Sequence, residues 1–240
     1  MTAPVLSILI PTFNRVKYLK IMLDSVIPQV EQNSLQDKVE IIISDNGSDD
    51  GTKEFMTSLS TEKPYIRYSR NEKNIGVVKN ILKLFELTNG KYWMFYGDDI
   101  VCEGTLQKVF AEISENPEIP LFIFAQKGYK GITTNKAITL HHAVRDFFYY
   151  MGNMCTVTKT EFLKENLEKY YDKIATTCWP QTHVLLLEAY AAKMDRPVML
   201  NTFEVYDFQI PDDNNVKGSF YFYEAGFFSL MRLAYMVSDQ

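Results

Sequence analysis

The stretch 91-KYWMFYGDDIVCEGTL-106 carries a largely apolar run straight into two adjacent carboxylates, Asp98 and Asp99, and then into a helix-like segment. Neighbouring like charges repel unless something cationic sits between them. A buried strand that ends this way therefore calls for a counter-charge. Tyr92 to Tyr96 reads as the strand, and Leu106, Val109, Phe110 and Ile113 recur at the spacing of an amphipathic helix. The two aspartates thus fall where the carboxyl end of a strand meets a loop leading to a helix, which is where open α/β sheets hold their ligands.

Toward the N-terminus the same unit recurs. Val5 to Ile10 is a β-rich run ended by Pro11, and Val16, Leu19, Leu23, Val26 and Ile27 follow at helical spacing. Val39 to Ser44 repeats the strand pattern and stops at 45-DNGSDDGT-52, whose Asn-Gly and Asp-Gly pairs mark tight turns. A third strand is expected at 65-YIRYS-69, followed by a helix carrying Val78, Ile81, Leu82 and Phe85, with Asn89-Gly90 as its C-terminal signal. This alternation predicts an α/β fold with a mostly parallel central sheet covered by helices.

Beyond residue 115 the pattern loosens. A strand is expected at 120-PLFIFA-125, then a polar stretch to about residue 140, helices near 159–171 and 181–194, and a hydrophobic-rich segment 219-SFYFYEAGFFSLMRLAYMV-237. No low-complexity linker or internal repeat separates the halves. The expectation is a single domain over 1–240, with 1–115 as its nucleotide-binding half and 116–240 as an acceptor-binding half ending in a C-terminal helix.

Composition narrows the function classes. A 46% hydrophobic content over 240 residues supports a sizeable core and excludes a disordered chain. A net charge of −5, from 25 basic and 30 acidic residues evenly mixed, lacks the basic footprint of a nucleic-acid binder. Cys102, Cys155 and Cys178 are isolated, which points away from zinc or disulfides and toward a reducing cytoplasm. VLSILI is too short for a signal or membrane segment, and Glu224 and Arg232 interrupt the C-terminal run, which reads as core, a homodimer surface or a peripheral membrane contact.

In a parallel sheet the loops 11-PTFNR-15, 45-DNGSDDGT-52, 71-NEKNIGVVKN-80 and 97-GDD-99 share one edge. Together they offer an acidic acceptor, polar amides and a carboxylate pair, the groups needed for a nucleobase, a ribose and a metal-bound diphosphate. Mg²⁺ or Mn²⁺ prefers carboxylate oxygens and keeps phosphate and water ligands, so two aspartates suffice when a diphosphate completes the shell. Each residue also has a plainer role. Asp98 and Asp99 suit a turn or a helix N-cap, Asp45 an Asx-turn, Asn14 the cap of the helix after it, and His183 a helix start.

SILIPTFNR, SDNGSDDGT, the spacing of Asn71, Asn74, Gly76 and Asn80, and GDD together resemble the family 2 glycosyltransferases of GT-A fold over roughly the first 110 residues. The resemblance implies inverting transfer of a sugar from a nucleotide-sugar, a UDP-sugar on family grounds, to a glycan or lipid-linked acceptor in surface polysaccharide synthesis. It places Pro11, Thr12 and Asn14 in the nucleoside pocket, Asp45 on the base, Gly76, Asn80 and Asp98 beside the nucleotide, and Asp98 and Asp99 on Mn²⁺ or Mg²⁺. Two departures stand out. Tyr96 occupies the first position of the Asp-x-Asp-Asp that many members carry, and 179-WPQTHVLLLEAY-190 offers His183 near the place where many members carry Glu-Asp as catalytic base. Asp207, Asp212 and Asp213 are further carboxylates for that role, and Trp179 could stack on a sugar. A sugar nucleotidyltransferase and a non-catalytic nucleotide-sugar-binding scaffold are the alternatives. PTFNR lacks the Gly-rich phosphate loop of the former, and no GxGxxG marks a dehydrogenase.

Overall fold

The computed structural model describes residues 3–128, 131–140, 156–161 and 197–207, together with positions 142, 143, 146, 163, 164 and 167. Cys155, Cys178, Trp179, His183, Asp212, Asp213, the helix expected near 181–194 and the segment 219–237 lie outside the described residues.

The first half runs β1 (Leu6–Thr12), α1 (Val16–Gln32), β2 (Val39–Asp45), α2 (Thr52–Glu62), β3 (Ile66–Arg70), α3 (Val77–Leu87) and β4 (Tyr92–Phe95). The chain continues through β5 (Ile100–Val101), α4 (Thr105–Glu115), β6 (Leu121–Gln126), β7 (Lys136–Thr139), β8 (Thr156–Lys159) and β9 (Pro197–Asp207). These strands join one sheet in the order β3-β2-β1-β4-β8-β6-β9-β5, with β7 pairing on β9. The block β3-β2-β1-β4 is parallel throughout. β8 then enters antiparallel between β4 and β6, β9 runs parallel to β6, and β5 and β7 pair antiparallel with β9.

Strands of a parallel sheet are covered on both faces and read as continuous apolar runs. Accordingly every residue of β2 and β4 is buried, as is all of β1 except half-buried Pro11. Trp93, Tyr92 and Phe85 are among the largest fully buried side chains, with the Phe85 and Trp93 rings 5.4 Å apart. Right-handed crossovers place α1 and α2 on one face and α3 on the other, because strand order runs outward from β1 to β3 and then returns to β4.

Several expectations need correction. The interval between the second and third strands holds α2, whose fully buried positions are Thr52 and Met56, so its apolar stripe is faint in sequence. The polar stretch before residue 140 contains β7, a strand on Thr156–Lys159 precedes the helix expected near 159–171, and the eleven-residue β9 was not anticipated. These strands are short, threonine-rich or interrupted by polar residues, and β9 departs from regular register against β6 near Ala125. Asn89-Gly90 does not end α3, which stops at Leu87. Gly90 instead passes so near β1 that a Cβ there would lie 2.6 Å from Ser7 Oγ.

That crossing belongs to a polar knot at the amino end of the sheet. Buried Glu40 accepts hydrogen bonds from Ser7 Oγ (2.5 Å), Arg67 Nη1 (2.7 Å) and the amides of Asn89 (2.7 Å) and Gly90 (3.1 Å). Burial opposes ionisation of this carboxyl, but the bonds from Ser7, Arg67 and Asn89 outweigh it and hold the group below its ordinary value. A folded-state pKa beneath the unfolded one gives stability that is complete above the unfolded value and fades as pH falls through the folded one. Glu40→Gln should therefore lower stability by about 2 kcal/mol at neutral pH, with the difference from wild type shrinking in urea melts taken progressively below about pH 4.

Candidate active site

Strand order reverses at β1, which has β2 on one side and β4 on the other. The loops leaving β1 and β4 emerge side by side at this reversal, where open α/β sheets form a crevice at the carboxyl ends of their strands. Thr12 and Asp45 are paired across β1 and β2, and Leu9 and Phe95 across β1 and β4. The parallel registers thus bring PTFNR, DNGSDDGT and GDD to one edge.

Asp45 is fully buried and organises the loop after β2. Its carboxylate accepts from the Ser48 amide (2.9 Å), Ser48 Oγ (2.6 Å) and Tyr68 Oη (2.6 Å), with Arg70 Nε 3.4 Å away. Burial first, and then the Asp45 charge, push the Tyr68 hydroxyl far above its ordinary value, so it remains a donor. Gly47 has φ 84°, and a Cβ on it would come within 2.9 Å of the Lys73 carbonyl carbon, so glycine is required where these two loops touch.

Asn14, at φ 52°, receives no helix-capping role. Its Oδ1 accepts from the Asp49 amide (2.9 Å) and its own amide donates to Ser48 Oγ (2.9 Å), binding the first loop to the second. The cap comes from Asp50, which accepts the Val16 amide of α1 through Oδ2 and Thr52 Oγ1 of α2 through Oδ1. The asparagines after β3 form a second brace. Asn80, 2% exposed, accepts from Ser44 Oγ and Asn71 Nδ2 and donates to the Ser44 carbonyl, while Asn46 links to Asn71, Asn74 and the Ile75 amide. Asn80 therefore shapes the crevice from inside, whereas Gly76, at φ 88°, opens α3 with space around it. Thr12 Oγ1 is buried at the end of β1 and has no hydrogen-bond partner among the described residues.

Across from Asn14 lies GDD. Asp99 is buried, and Asp98, with 22% of its side chain exposed, forms an ion pair with Arg15 Nε. The counter-charge that the sequence calls for is thus supplied by Arg15, whose guanidinium also stacks 4.3 Å over the Tyr18 ring. Neither aspartate caps α4, whose N-cap is Gly104 in a left-handed conformation. Tyr96 is fully buried, and its hydroxyl donates to the Val205 carbonyl (2.6 Å), tethering the end of β4 to β9. Gln29 of α1 holds the following loop, donating to the Cys102 carbonyl (3.0 Å) and accepting from the Leu106 amide (3.2 Å).

Past GDD, a cavity of about 730 Å³ is lined by residues including Cys102, Lys127, Asn201, Phe203, Glu204 and Asp207. It is distinct from the crevice, since none of Pro11, Thr12, Asn14, Asp45 or Gly76 lines it. Asp207 pairs in register with Ile100, directly after Asp99, and carries Lys127 at 2.6 Å. Burial, then Asp207, push the Cys102 thiol up to about 11, which keeps it protonated and unreactive at neutral pH.

The sequence profile described as Glycosyl transferase family 2 matches residues 7–180, well over half the chain. The chain belongs to this family. Among curated relatives it is 39% identical over 103 residues to the abequosyltransferase RfbV of Salmonella typhimurium, a match covering 42% of this chain and 30% of that protein. It is 31% identical over 97 residues to a GalNAc(5)-diNAcBac-PP-undecaprenol beta-1,3-glucosyltransferase of Campylobacter jejuni, covering 40% of this chain and 30% of that one. The chain thus spans under a third of the length of these relatives. Its fold is similar to glucosyl-3-phosphoglycerate synthase of Mycobacterium tuberculosis in complex with Mn²⁺, UDP and phosphoglyceric acid, at TM-score 0.63 and 14% identity, over 96% of this chain and 78% of that one. The architecture is that of a GT-A glycosyltransferase.

For a family 2 chain the donor chemistry at GDD fits a hard divalent cation. Asp98 presents carboxylate oxygens at the crevice beside Asp99, and no group of three or more His, Cys, Asp or Glu is assembled among the described residues. Such a cation would complete its shell with diphosphate and water. No helix among the described residues is long and apolar enough to cross a membrane.

Tyr96 and Gln29 are positioning residues that the sequence did not disclose, because each acts on a carbonyl or amide far away in the chain. Tyr96→Phe, which removes one buried hydrogen bond while keeping the ring, should cost about 1 kcal/mol in denaturant unfolding. Gln29→Ala leaves a buried carbonyl and amide without their partner and should cost about 2 kcal/mol. A loss below 0.5 kcal/mol for Gln29→Ala, taken as a rough floor for a buried unsatisfied pair, would contradict its role in holding the loop.

Proposed function

We propose that this glycosyltransferase moves a sugar, with inversion, from a nucleoside-diphosphate sugar to a hydroxyl of a glycan or lipid-linked acceptor during surface polysaccharide assembly at the cytoplasmic side of a membrane. The observation that carries the reading is the ion pair of Arg15 with Asp98, which joins the loop after β1 to GDD after β4 at the point where strand order reverses. UDP is the proposed nucleotide, supported by the similar synthase structure that holds Mn²⁺ and UDP. The Campylobacter relative, named for an undecaprenol-linked substrate, supports the lipid-linked acceptor.

In this reading Pro11, Thr12 and Asn14 line the nucleoside pocket. Asp45 and Asn80 hold the loops around it through their buried hydrogen bonds, and the base contact that the resemblance assigns to Asp45 would require its carboxylate to exchange one of these partners. Mg²⁺ or Mn²⁺ at Asp98 and Asp99 would neutralise charge growing on the departing diphosphate. The acceptor hydroxyl attacks the anomeric carbon opposite the diphosphate, a new C–O bond forming as the sugar–phosphate bond breaks. Its proton passes to a base, for which His183 and Asp207 are the proposed side chains. By the resemblance His183 lies near the place where many members carry the base, and Asp207 stands in register beside the residue after Asp99.

Replacing both Asp98 and Asp99 with Ala should lower turnover by about 10²-fold or more while leaving the far-UV spectrum unchanged. A double variant that turns over at the wild-type rate overturns the mechanism. Melting curves with UDP-, GDP-, CDP- and dTDP-sugars, with and without Mn²⁺, should show the largest metal-dependent rise for a UDP-sugar, since a ligand that binds only the folded chain raises Tm. A rise without turnover on any acceptor would favour the non-catalytic binding protein.

A further inference from the structure

We infer that Arg15 is a two-position ligand, which holds Asp98 in the ligand-free chain and turns to the donor's diphosphate when a divalent cation takes that carboxylate. The inference rests on the metal-dependent reading given above and extends it to a residue that the family resemblance leaves without a role. Arg15 ends the loop of β1 and Asp98 lies in the loop of β4, so their ion pair bridges the crevice at the reversal of strand order. Both ends of the pair are within reach of a ligand, with 32% of the Arg15 side chain and 22% of the Asp98 side chain exposed. The Tyr18 ring beneath the guanidinium keeps Arg15 at this edge whichever anion it meets.

The chemistry makes the two positions exclusive. A guanidinium and a divalent cation compete for the same carboxylate oxygens and repel each other there. Phosphate oxygens offer the guanidinium the same planar, paired hydrogen bonding that a carboxylate does. The cation alone must displace Arg15, and the nucleotide alone meets an arginine already neutralised by Asp98. When both arrive, the cation takes the carboxylate, Arg15 takes the diphosphate, and each ligand removes the obstacle to the other. Arg15 thereby couples cation and donor binding.

The test is titration calorimetry of the whole chain, with Mn²⁺ alone and then with UDP at saturating Mn²⁺, for wild type, Arg15→Gln and Arg15→Lys. Relative to wild type, Arg15→Gln should bind Mn²⁺ alone about ten-fold more tightly and UDP with Mn²⁺ about ten-fold more weakly, as expected for loss of one charge-assisted hydrogen bond. Arg15→Lys keeps the charge without the fork and should fall between the two on both axes. A matching Tm for all three chains shows that the comparison is between folded proteins. If wild type binds Mn²⁺ and UDP but Arg15→Gln gives the same two affinities, the inference about Arg15 is overturned and the proposed function stands. If wild type takes up no Mn²⁺ even with UDP present, the metal-dependent reading falls and the role of Arg15 falls with it.

Discussion

The parallel pairing of β1 with β2 on one side and β4 on the other is the constraint on which the site depends. All three strands are buried along nearly their whole length, so a slip by one residue would turn every side chain to the opposite face. Register is therefore strongly specified. With Thr12 level with Asp45, the loops that follow must emerge together, and the return of the chain to β4 brings Asp98 in from the other side. The crevice follows from strand order, and the side chains within it refine what topology has already placed.

Two polar networks fasten the ends of this block. At the amino end Glu40 gathers Ser7, Arg67 and the turn at Asn89 and Gly90, locking three strands and the end of α3. At the carboxyl end Asp45, Asn46, Asn71 and Asn80 link the loops after β2 and β3. The second network is remote from bulk water, where unsatisfied amides are costly and satisfied ones rigidify. It holds the loop backbones before any ligand arrives. Polar residues that read from sequence as nucleotide contacts thus include some whose observed work is to fix the shape of the pocket, Asn80 above all.

The second half shows a different economy of construction. β5 has two residues and exists through its pairing with β9, while Tyr96, Cys102 and Thr105 all direct donors to the Val205 carbonyl. A single carbonyl on β9 thereby gathers the end of β4 and the start of α4 around GDD. Tyr96, which departs from the family's acidic pattern, is an internal tether whose hydroxyl points away from the crevice toward β9. The position that the resemblance assigns to an aspartate here contributes to the scaffold.

The sequence by itself determined the four parallel strands, three of the four helices packed with them, and the loops that meet at their carboxyl ends, because buried parallel strands and amphipathic helices write their periods directly into residue order. It also raised the need for positive charge beside Asp98 and Asp99. It could not identify Arg15 as the partner, since 83 positions separate the two residues and their meeting depends on which strand lies next to which. For the same reason the cap that Asp50 supplies to α1, the hold of Gln29 on the loop after GDD, and strands β5, β7, β8 and β9 were decided by the tertiary structure alone. Local pattern encodes what a segment does with its own neighbours, whereas contacts made across the sheet come into being only when long-range pairing has closed it.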